Sequence, residues 1–291
     1  MSAMREITAG LQFPEGPVAM DDGTVLVVEI EGGNLTRVSA DGLQAVVAHC
    51  GGGPNGAAVG PDGAVYVCND GGLEFKTQEG IRFPYDIAAG NTGGRIQRVE
   101  LATGAFGDLY LQSGDQRLGG LNDIVFDAGG RFYFVDTTVG AIHYAHPDGT
   151  DIRVVASSLE FPNGMGLSPD GRRLYVSETY SGRVLAWDVA DDGDLHDRAL
   201  LHTAEGHGWD GLAVDGAGNI CIANLEHSGI SIIDPDGTLK EEVTVPLHDP
   251  FVTNICFGGP DLATAYITSS GRGLLYALDW PYPGQRLHFA R

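Results

Sequence analysis

Six polar side chains occupy the same position in six similar segments of this 291-residue sequence. Each is followed by a short apolar run, a Gly-containing turn and a second apolar run, a pattern typical of a β-hairpin. Carboxylate and amide oxygens that converge on one point would form a hard oxygen cage, and Ca²⁺ is the ion that best matches such ligands. The six residues are Glu15, Asn55, Asn122, Asn163, Asp210 and Asn254.

The spacing of these residues indicates the architecture that must bring them together. The steps are 40 (15 to 55), 67 (55 to 122), 41 (122 to 163), 47 (163 to 210) and 44 (210 to 254). Repeats of about 40–50 residues with short strands and Gly/Asp turns are typical of propeller blades. We therefore predict an all-β fold, a six-bladed β-propeller that forms a single domain over residues 1–291. Because the first strand of each blade lines the channel, the six residues should gather just ahead of these strands, around one mouth.

The N-terminal segment is expected to close the ring. The last unit offers only three strands, at 254–257, 263–268 and 273–278, whereas residues 3–11 form a lone strand ahead of the first hairpin. A blade has four strands, and an open edge promotes aggregation. We therefore predict that the N-terminal strand completes the last blade, and we predict no amphipathic helix anywhere.

The 67-residue step contains an insertion, which we predict to be a loop over about residues 70–94. It follows a second strand, so it should emerge at the same end of the propeller as the six polar residues. A long loop that carries Phe75, Phe83 and Tyr85 is typical of a lid or a pocket wall. We interpret these aromatic residues as substrate contacts; a surface loop packed on its own blade is the alternative.

Composition argues against nucleic-acid and membrane partners, and we expect a small-molecule substrate. The net charge of −22 argues against nucleic acid and would concentrate divalent cations near an acidic opening. No apolar run is long enough to span a membrane, and the first residues lack a signal-peptide apolar region, so we expect a cytoplasmic protein. The four cysteines show no CxxC spacing and are expected to be buried thiols. The oligomeric state stays open.

Four segments resemble the SMP-30/gluconolactonase/luciferin-regenerating-enzyme family. They are residues 13–17, 162–179, 210–213 and 256–268. The resemblance implies a six-bladed propeller with one catalytic divalent cation at the channel mouth, which hydrolyses lactones or, in relatives, phosphotriester-type substrates. It also implies that Glu15, Asn163 and Asp210 are metal ligands, that Asn122 binds metal or substrate, and that Asp210 is the candidate for acid–base catalysis. Ca²⁺ is the preferred ion, with Zn²⁺, Mn²⁺, Mg²⁺ and Fe²⁺ left open.

Two departures from the family pattern favour a substrate other than a sugar lactone. Sugar-lactone members carry an Arg two residues before the Asn122 position, where this sequence has Gly120. An acidic pair expected after the second strand of the third blade is also absent from residues 136–140. Together with the aromatic insertion, these departures favour a more apolar ligand.

The implied reaction is attack of water on a carbonyl group that the cation polarises. A bound divalent ion lowers the pKa of its carboxylate ligands, so Asp210 could act as the base only if it is loosely bound. His207 and His227 are the alternative proton carriers, although an ordinary loop position is the favoured interpretation of each. Asn55 and Asn254 are predicted to contact the substrate.

Two other classes of function remain open at this point. A propeller scaffold would need no acids at the channel mouth, and repeated WD40 or kelch signatures are absent from the sequence. An isomerase or cyclase could use the same cation as a Lewis acid without hydrolysis. Metal analysis separates the scaffold from the enzymes, and substrate screening separates the enzymes from one another.

Overall fold

The computed structural model describes residues 4–206 and 208–290 of the chain. The secondary structure of these residues consists of strands and turns, and no helix is present that could cross a membrane. The chain begins with strand β1 (Arg5–Ala9) and then forms six four-stranded antiparallel sheets, which are the blades of a six-bladed β-propeller. The predicted fold class is confirmed.

The first three blades follow one another along the chain, each from its inner to its outer strand. Blade 1 contains β2 (Pro14–Ala19), β3 (Val25–Glu29), β4 (Asn34–Val38) and β5 (Gln44–His49). Blade 2 contains β6 (Pro54–Val59) and β7 (Val65–Asn69), then a hairpin of β8 (Leu73–Gln78) and β9 (Ile81–Ile87), then β10 (Arg95–Val99) and β11 (Phe106–Tyr110). After the short strands β12 (Gln112–Ser113) and β13 (Gln116–Arg117), blade 3 contains β14 (Leu121–Phe126), β15 (Phe132–Asp136), β16 (Ala141–Ala145) and β17 (Ile152–Ser157).

The last three blades repeat this order. Blade 4 contains β18 (Pro162–Leu167), β19 (Arg173–Glu178), β20 (Arg183–Val189) and β21 (Leu195–Thr203). Blade 5 contains β22 (Trp209–Val214), β23 (Ile220–Asn224), β24 (Gly229–Ile233) and β25 (Leu239–Thr244). Blade 6 contains β26 (Val252–Gly258), β27 (Thr264–Ser269) and β28 (Leu274–Asp279).

The inner strands β2, β6, β14, β18, β22 and β26 form a closed ring, since each packs against the inner strands of both neighbouring blades. Six clusters of buried apolar residues fill the six spaces between neighbouring blades. Second strands such as β3 and β7 are buried along their whole length, because both of their faces meet another blade. Their nearly continuous apolar sequences follow from this double burial. All four cysteines are buried free thiols, as predicted.

Strand β1 completes blade 6 by pairing antiparallel with β28, from Arg5 opposite Ala277 to Ala9 opposite Leu274. The order of this sheet is therefore β1-β28-β27-β26, with the N-terminal strand on the outside. This confirms the predicted closure of the ring. The first and last parts of the chain share one sheet, so blade 6 cannot form before both are present.

The insertion is a two-stranded hairpin rather than the predicted loop. Strands β8 and β9 pair from Leu73 opposite Ile87 to Gln78 opposite Ile81. Alternating residue types such as Phe-Lys-Thr-Gln and Ile-Arg-Phe-Pro-Tyr permit this pairing, and Glu79 and Gly80 turn the chain with positive φ angles of 54° and 77°. A hairpin holds its side chains in a fixed register, which a loop would not do.

The C-terminal segment closes the end of the channel opposite the start of the inner strands. Gly284 forms a bridge with Asp215, and the Phe289 ring packs edge-on against Phe126 with 5.9 Å between ring centroids. Beyond this segment, inner-strand residues line a cavity of about 100 Å³ in the channel. Residues of this segment, such as Leu287 and Phe289, also line the cavity.

Removal of residues 1–10 tests the closure of the ring. The truncated protein should have a melting temperature at least about 10 °C lower, because blade 6 loses its fourth strand and exposes the edge of β28. The double substitution Arg5→Ser and Glu6→Ser is the matched control, since these side chains are exposed and the strand is kept. Equal melting temperatures of the truncated and control proteins, measured by calorimetry, would show that another segment closes the ring.

Candidate functional site

The six predicted residues lie at the start of the six inner strands and not ahead of them. Five are the second residue of their strand, and Asn254 is the third. Each lies at or just before an irregularity in the pairing of the inner strand with the second strand. A bulge changes the direction of side chains near it. We call the opening where the inner strands begin the mouth, and the six residues surround it.

Glycines next to these residues allow the inner strands to approach one another. A Cβ atom on Gly16 would lie 2.7 Å from the carbonyl oxygen of Asn55, on the next blade. A Cβ atom on Gly164 would lie 2.6 Å from the carbonyl oxygen of Asp210. Gly56 and Gly211 face the neighbouring blade in the same way. The sequence pattern Asn-Gly or Asp-Gly is therefore set by the distance between blades, and not by a turn.

Blade 3 has Asp123 where four of the other five blades have glycine, and the sequence analysis missed this residue. The carboxylate is buried and accepts hydrogen bonds from the backbone N–H groups of Ile124 at 2.8 Å and Met165 at 2.9 Å. Burial raises the pKa of Asp123 to about 7. Four of the other blades have glycine at this position. Comparison of the six repeats could therefore have identified Asp123 as an unusual acid.

Glu15 and Asn254 are joined across the junction of blades 1 and 6. The Asn254 side chain donates a hydrogen bond to Glu15 Oε2 at 2.8 Å, and the Gly16 backbone N–H donates to the same oxygen. Both side chains are buried. Asn254, which was predicted to contact the substrate, thus fixes the position of Glu15, which was predicted to bind the metal.

Asn163 presents an oxygen that lacks a partner. Its Nδ2 group donates to Thr179 Oγ1 at 3.1 Å, whereas its buried Oδ1 atom has no hydrogen bond with any described residue. A buried polar atom without a partner costs about 1–3 kcal/mol unless a water or an ion satisfies it. This oxygen is therefore available to a ligand at the mouth.

Burial and neighbouring carboxylates raise the pKa values of the two predicted acidic ligands, Glu15 and Asp210. Burial raises the pKa of Glu15 well above its ordinary value, and the nearby Asp210 and Asp123 carboxylates raise it further. Burial raises the pKa of Asp210 to about 8, with Asp123 acting in the same direction, while hydrogen bonds from Asn163 and Gly211 act in the opposite direction. Ionising both Glu15 and Asp210 is costly without a positive charge between them, and a cation would supply that charge.

The donor set fits a hard cation. The described residues contain no group of three His, Cys, Asp or Glu side chains suited to a metal, so any ion here must depend on amide oxygens as well as on Glu15 and Asp210. Carboxylate, amide and water oxygens suit Ca²⁺, whereas structural Zn²⁺ sites use Cys and His. Asn122, half-buried at the start of β14, and Asn55, buried at the start of β6, complete the polar surround of the mouth.

The aromatic residues of the hairpin differ in their surroundings. Phe75 packs on Phe13 with 5.0 Å between ring centroids, and Phe83 stacks on Phe251 at 6.3 Å. Phe13 and Phe251 each lie directly before an inner strand, so these contacts bring the hairpin to the mouth. Tyr85 instead is more than half exposed and donates to Glu74 at 2.6 Å. Its described contacts, with Glu74 and Lys76, lie within the hairpin itself.

Of the two predicted proton carriers, His227 is among the described residues. His227 Nε2 lies 3.5 Å from Glu242, a residue of the outermost strand β25. His227 therefore lies toward the outer edge of blade 5, away from the inner-strand residues. His207 lies outside the described residues.

Other buried acids have structural roles. Glu29, Asp136 and Glu178 end the second strands of blades 1, 3 and 4, and each carboxylate accepts a hydrogen bond from a backbone N–H two residues before the inner strand of its own blade. The acceptor distances are 2.7 Å, 2.7 Å and 2.8 Å. These acids hold the inner strands in place and are fully engaged in doing so.

With the geometry described, comparison with known proteins assigns the family. Residues 13–271 match the family model of the SMP-30/Gluconolactonase/LRE-like region. The chain belongs to this family. Its members include relatives with named activities: the pentonolactonase XacC of Haloferax volcanii is 34% identical over 157 residues, which cover 52% of this chain and 53% of that protein. The chain therefore aligns with only about half the length of this relative.

Longer matches at lower identity agree with this family assignment. The lactonase drp35 of Staphylococcus aureus is 26% identical over 255 residues, covering 82% of this chain and 72% of that protein. A gluconolactonase structure from Xanthomonas campestris has a TM-score of 0.78 at 24% identity, over 96% of this chain and 89% of that one. Regucalcin from Agrobacterium tumefaciens, described as calcium-binding, has a TM-score of 0.76 at 18% identity, over 98% of both chains. At these identities the two structures show the shared fold.

The close approach of blades at the mouth can be tested with one methyl group. Gly164→Ala should destabilise the protein by roughly 1–3 kcal/mol, because the added carbon meets the backbone of Asp210. Gly107→Ala is the matched control, since a Cβ atom there meets nothing within 4 Å and the φ angle is not positive. The free energies of unfolding in urea should separate the two variants. Equal stabilities would mean that the blades can move apart at no cost.

Proposed function

We propose that this protein is a lactonase that depends on one divalent cation, with Ca²⁺ preferred, at the mouth of the propeller. The observation that carries the proposal is the pairing of two acids of raised pKa, Glu15 and Asp210, with the unpartnered Oδ1 atom of Asn163. A positive ion would offset the charge of both carboxylates and satisfy the free oxygen. The lactonase names of relatives in the same family support the reaction class.

Glu15, Asn163 and Asp210 would hold the cation, with Asn122 as a further ligand or a substrate contact. When bound, the cation would act as a Lewis acid that polarises the lactone carbonyl group and favours attack by water. The Asn254 amide holds Glu15 in one orientation, and Thr179 does the same for Asn163. This fixed arrangement lowers the cost of organising the site during the reaction.

Asp210 is the proposed proton acceptor for the attacking water. It keeps some exposure to solvent at the mouth, in contrast to the buried Glu15. Its pKa of about 8 falls when a cation is bound, because the positive charge favours the carboxylate form. A raised pKa in the absence of metal therefore allows Asp210 to bind the metal and still accept a proton near neutral pH.

The hairpin favours a small and partly apolar lactone. It reaches from blade 2 across blade 1 to blade 6, where the backbone N–H of Arg82 donates to the carbonyl oxygen of Gly271 at 2.8 Å and its guanidinium pairs with Glu31 of blade 1. Phe75 and Phe83 thereby form an aromatic wall beside the mouth. Gly120, which replaces the Arg of sugar-lactone members, removes a charged group that would bind sugar hydroxyls.

Substitution of the two acids tests the metal-dependent reaction. Glu15→Gln and Asp210→Asn should each lose bound divalent metal and at least about 100-fold in kcat/KM on a hydrolysed lactone, since the charge that offsets the ion is halved. Asp148→Asn is the control, because it removes one exposed charge in an outer turn of blade 3. Metal content by mass spectrometry and hydrolysis of a lactone panel are the measurements. Full metal occupancy in both site variants would contradict the proposal.

Replacement of residues 71–93 by a short Gly/Ser turn tests the role of the hairpin. Metal binding should persist, with at most a modest fall in melting temperature from the lost contacts to blades 1 and 6. The kcat/KM for apolar lactones should fall by two or more powers of ten, because each lost aromatic contact contributes about 1.5–3 kcal/mol. Small polar lactones should lose much less.

Tyr85→Ser provides the control for this replacement, since that side chain is exposed and its ring lies over Lys76. It should retain activity on both classes of lactone. If the hairpin replacement slows polar and apolar lactones equally, the hairpin is structural and the preference for an apolar substrate is wrong.

A further inference from the structure

One position recurs in all six blades directly before the inner strand. Its carbonyl oxygen accepts a hydrogen bond from the backbone N–H of the residue that follows the second strand, in every blade. This shared bond defines equivalent rim positions around the mouth. They are Phe13, Gly53, Gly120, Phe161, Gly208 and Phe251. The rim therefore carries three phenylalanines and three glycines.

The three phenylalanines are not equally covered. Phe13 and Phe251 contact each other at 5.6 Å between ring centroids and are covered by Phe75 and Phe83 of the hairpin. Phe161, on blade 4, lies opposite blade 1 in the six-membered ring. Its ring is 41% exposed and packs on Tyr180, which is 80% exposed, with 4.6 Å between centroids.

The backbone at Phe161 indicates that this exposed aromatic residue is retained at a cost. Its φ angle is +56°, a left-handed conformation that bulky side chains rarely adopt. Phe13 adopts the same conformation, with a φ angle of +59°. Glycine adopts it without strain, although the glycines at the rim positions of three other blades do not have a positive φ angle. Single exposed apolar residues are common. An exposed phenylalanine with a strained backbone, packed on a second exposed aromatic ring at the mouth, instead indicates a ligand-binding surface.

The same two segments hold the proposed metal ligand Asn163. Phe161 stands two residues before Asn163, and Tyr180 follows Thr179, which accepts the hydrogen bond from the Asn163 side chain. A molecule that meets the free Oδ1 atom of Asn163 therefore has the two rings beside it. We call Phe161 and Tyr180 the aromatic shelf.

We propose that the aromatic shelf is a substrate subsite that binds a planar or apolar substituent on the lactone ring. The inference rests on the proposed function, since it places the lactone carbonyl near Glu15, Asn163 and Asp210. The substituent would then extend toward blade 4, on the side of the mouth away from the hairpin. Stacking of the substituent on the shelf would set which substituted lactones are preferred.

The test compares a substituted ligand with its unsubstituted parent. Calcium-loaded protein is assayed with γ-phenyl-γ-butyrolactone and γ-butyrolactone, and binding of the matching lactams, which the reaction does not cleave readily, is measured by calorimetry. The wild type should prefer the phenyl compound about tenfold or more in both kcat/KM and affinity. Phe161→Gly combined with Tyr180→Ser should bring both ratios close to one.

The design separates this subsite from the reaction itself. Phe161→Gly should keep or raise the melting temperature, because glycine adopts the left-handed φ angle freely, so lost selectivity cannot be assigned to unfolding. Phe106→Ser, on the outer strand β11, removes another exposed aromatic ring and should leave both ratios unchanged. If neither lactone is hydrolysed, the proposed function fails. The lactam affinities would still show whether the aromatic shelf binds the phenyl substituent.

Three results would overturn the subsite. The double variant could keep the selectivity of the wild type, or the wild type could bind the phenyl lactam no better than the parent lactam. Alternatively, sedimentation could show that the wild type self-associates and the double variant does not. That third result would identify the shelf as a contact between two copies of the chain.

Discussion

The structure depends on the close approach of six inner strands around one channel. The strands come so near to each other that glycine is required beside most of the polar residues of the mouth, as at Gly16 and Gly164. The ring is completed where Asn254 donates to Glu15, which joins the last blade to the first. Because β1 pairs with β28 in the same blade, the two ends of the chain close the ring and the site together.

This packing explains why acids of similar burial have different roles. Glu29, Asp136 and Glu178 lie one strand away from the channel, and backbone N–H groups and side chains of their own blades satisfy them. Glu15 and Asp210 lie on inner strands, where the same ring of strands forces them close together and limits their access to water. Burial raises the pKa values of both acids, and the proposed cation would offset their charge.

The insertion removes the symmetry of the mouth. The hairpin ties blade 2 to blades 1 and 6 through Arg82, and it covers two of the three rim phenylalanines. Blade 4 is left open, with Phe161 and Tyr180 beside Asn163. One side of the mouth therefore has a fixed aromatic wall, and the other has an accessible aromatic surface, so a ligand can be oriented by contacts on both sides.

The sequence determined the repeat, the number of blades, the closure by the N-terminal strand and the set of polar residues at the mouth. These features follow from local patterns with a fixed period, because each blade repeats the same alternation of strands and turns. Tertiary structure decided three other features. They are the need for glycine beside the polar residues of the mouth, the hydrogen bonds of Asp123, and the rim position shared by Phe13, Phe161 and Phe251. They depend on the distance between neighbouring inner strands, whose facing residues, such as Gly164 and Asp210, are far apart in the chain. No local pattern records that distance. The position of the hairpin was also decided by tertiary structure. Its aromatic residues could be identified from the sequence, but packing across the ring determined which blades they contact.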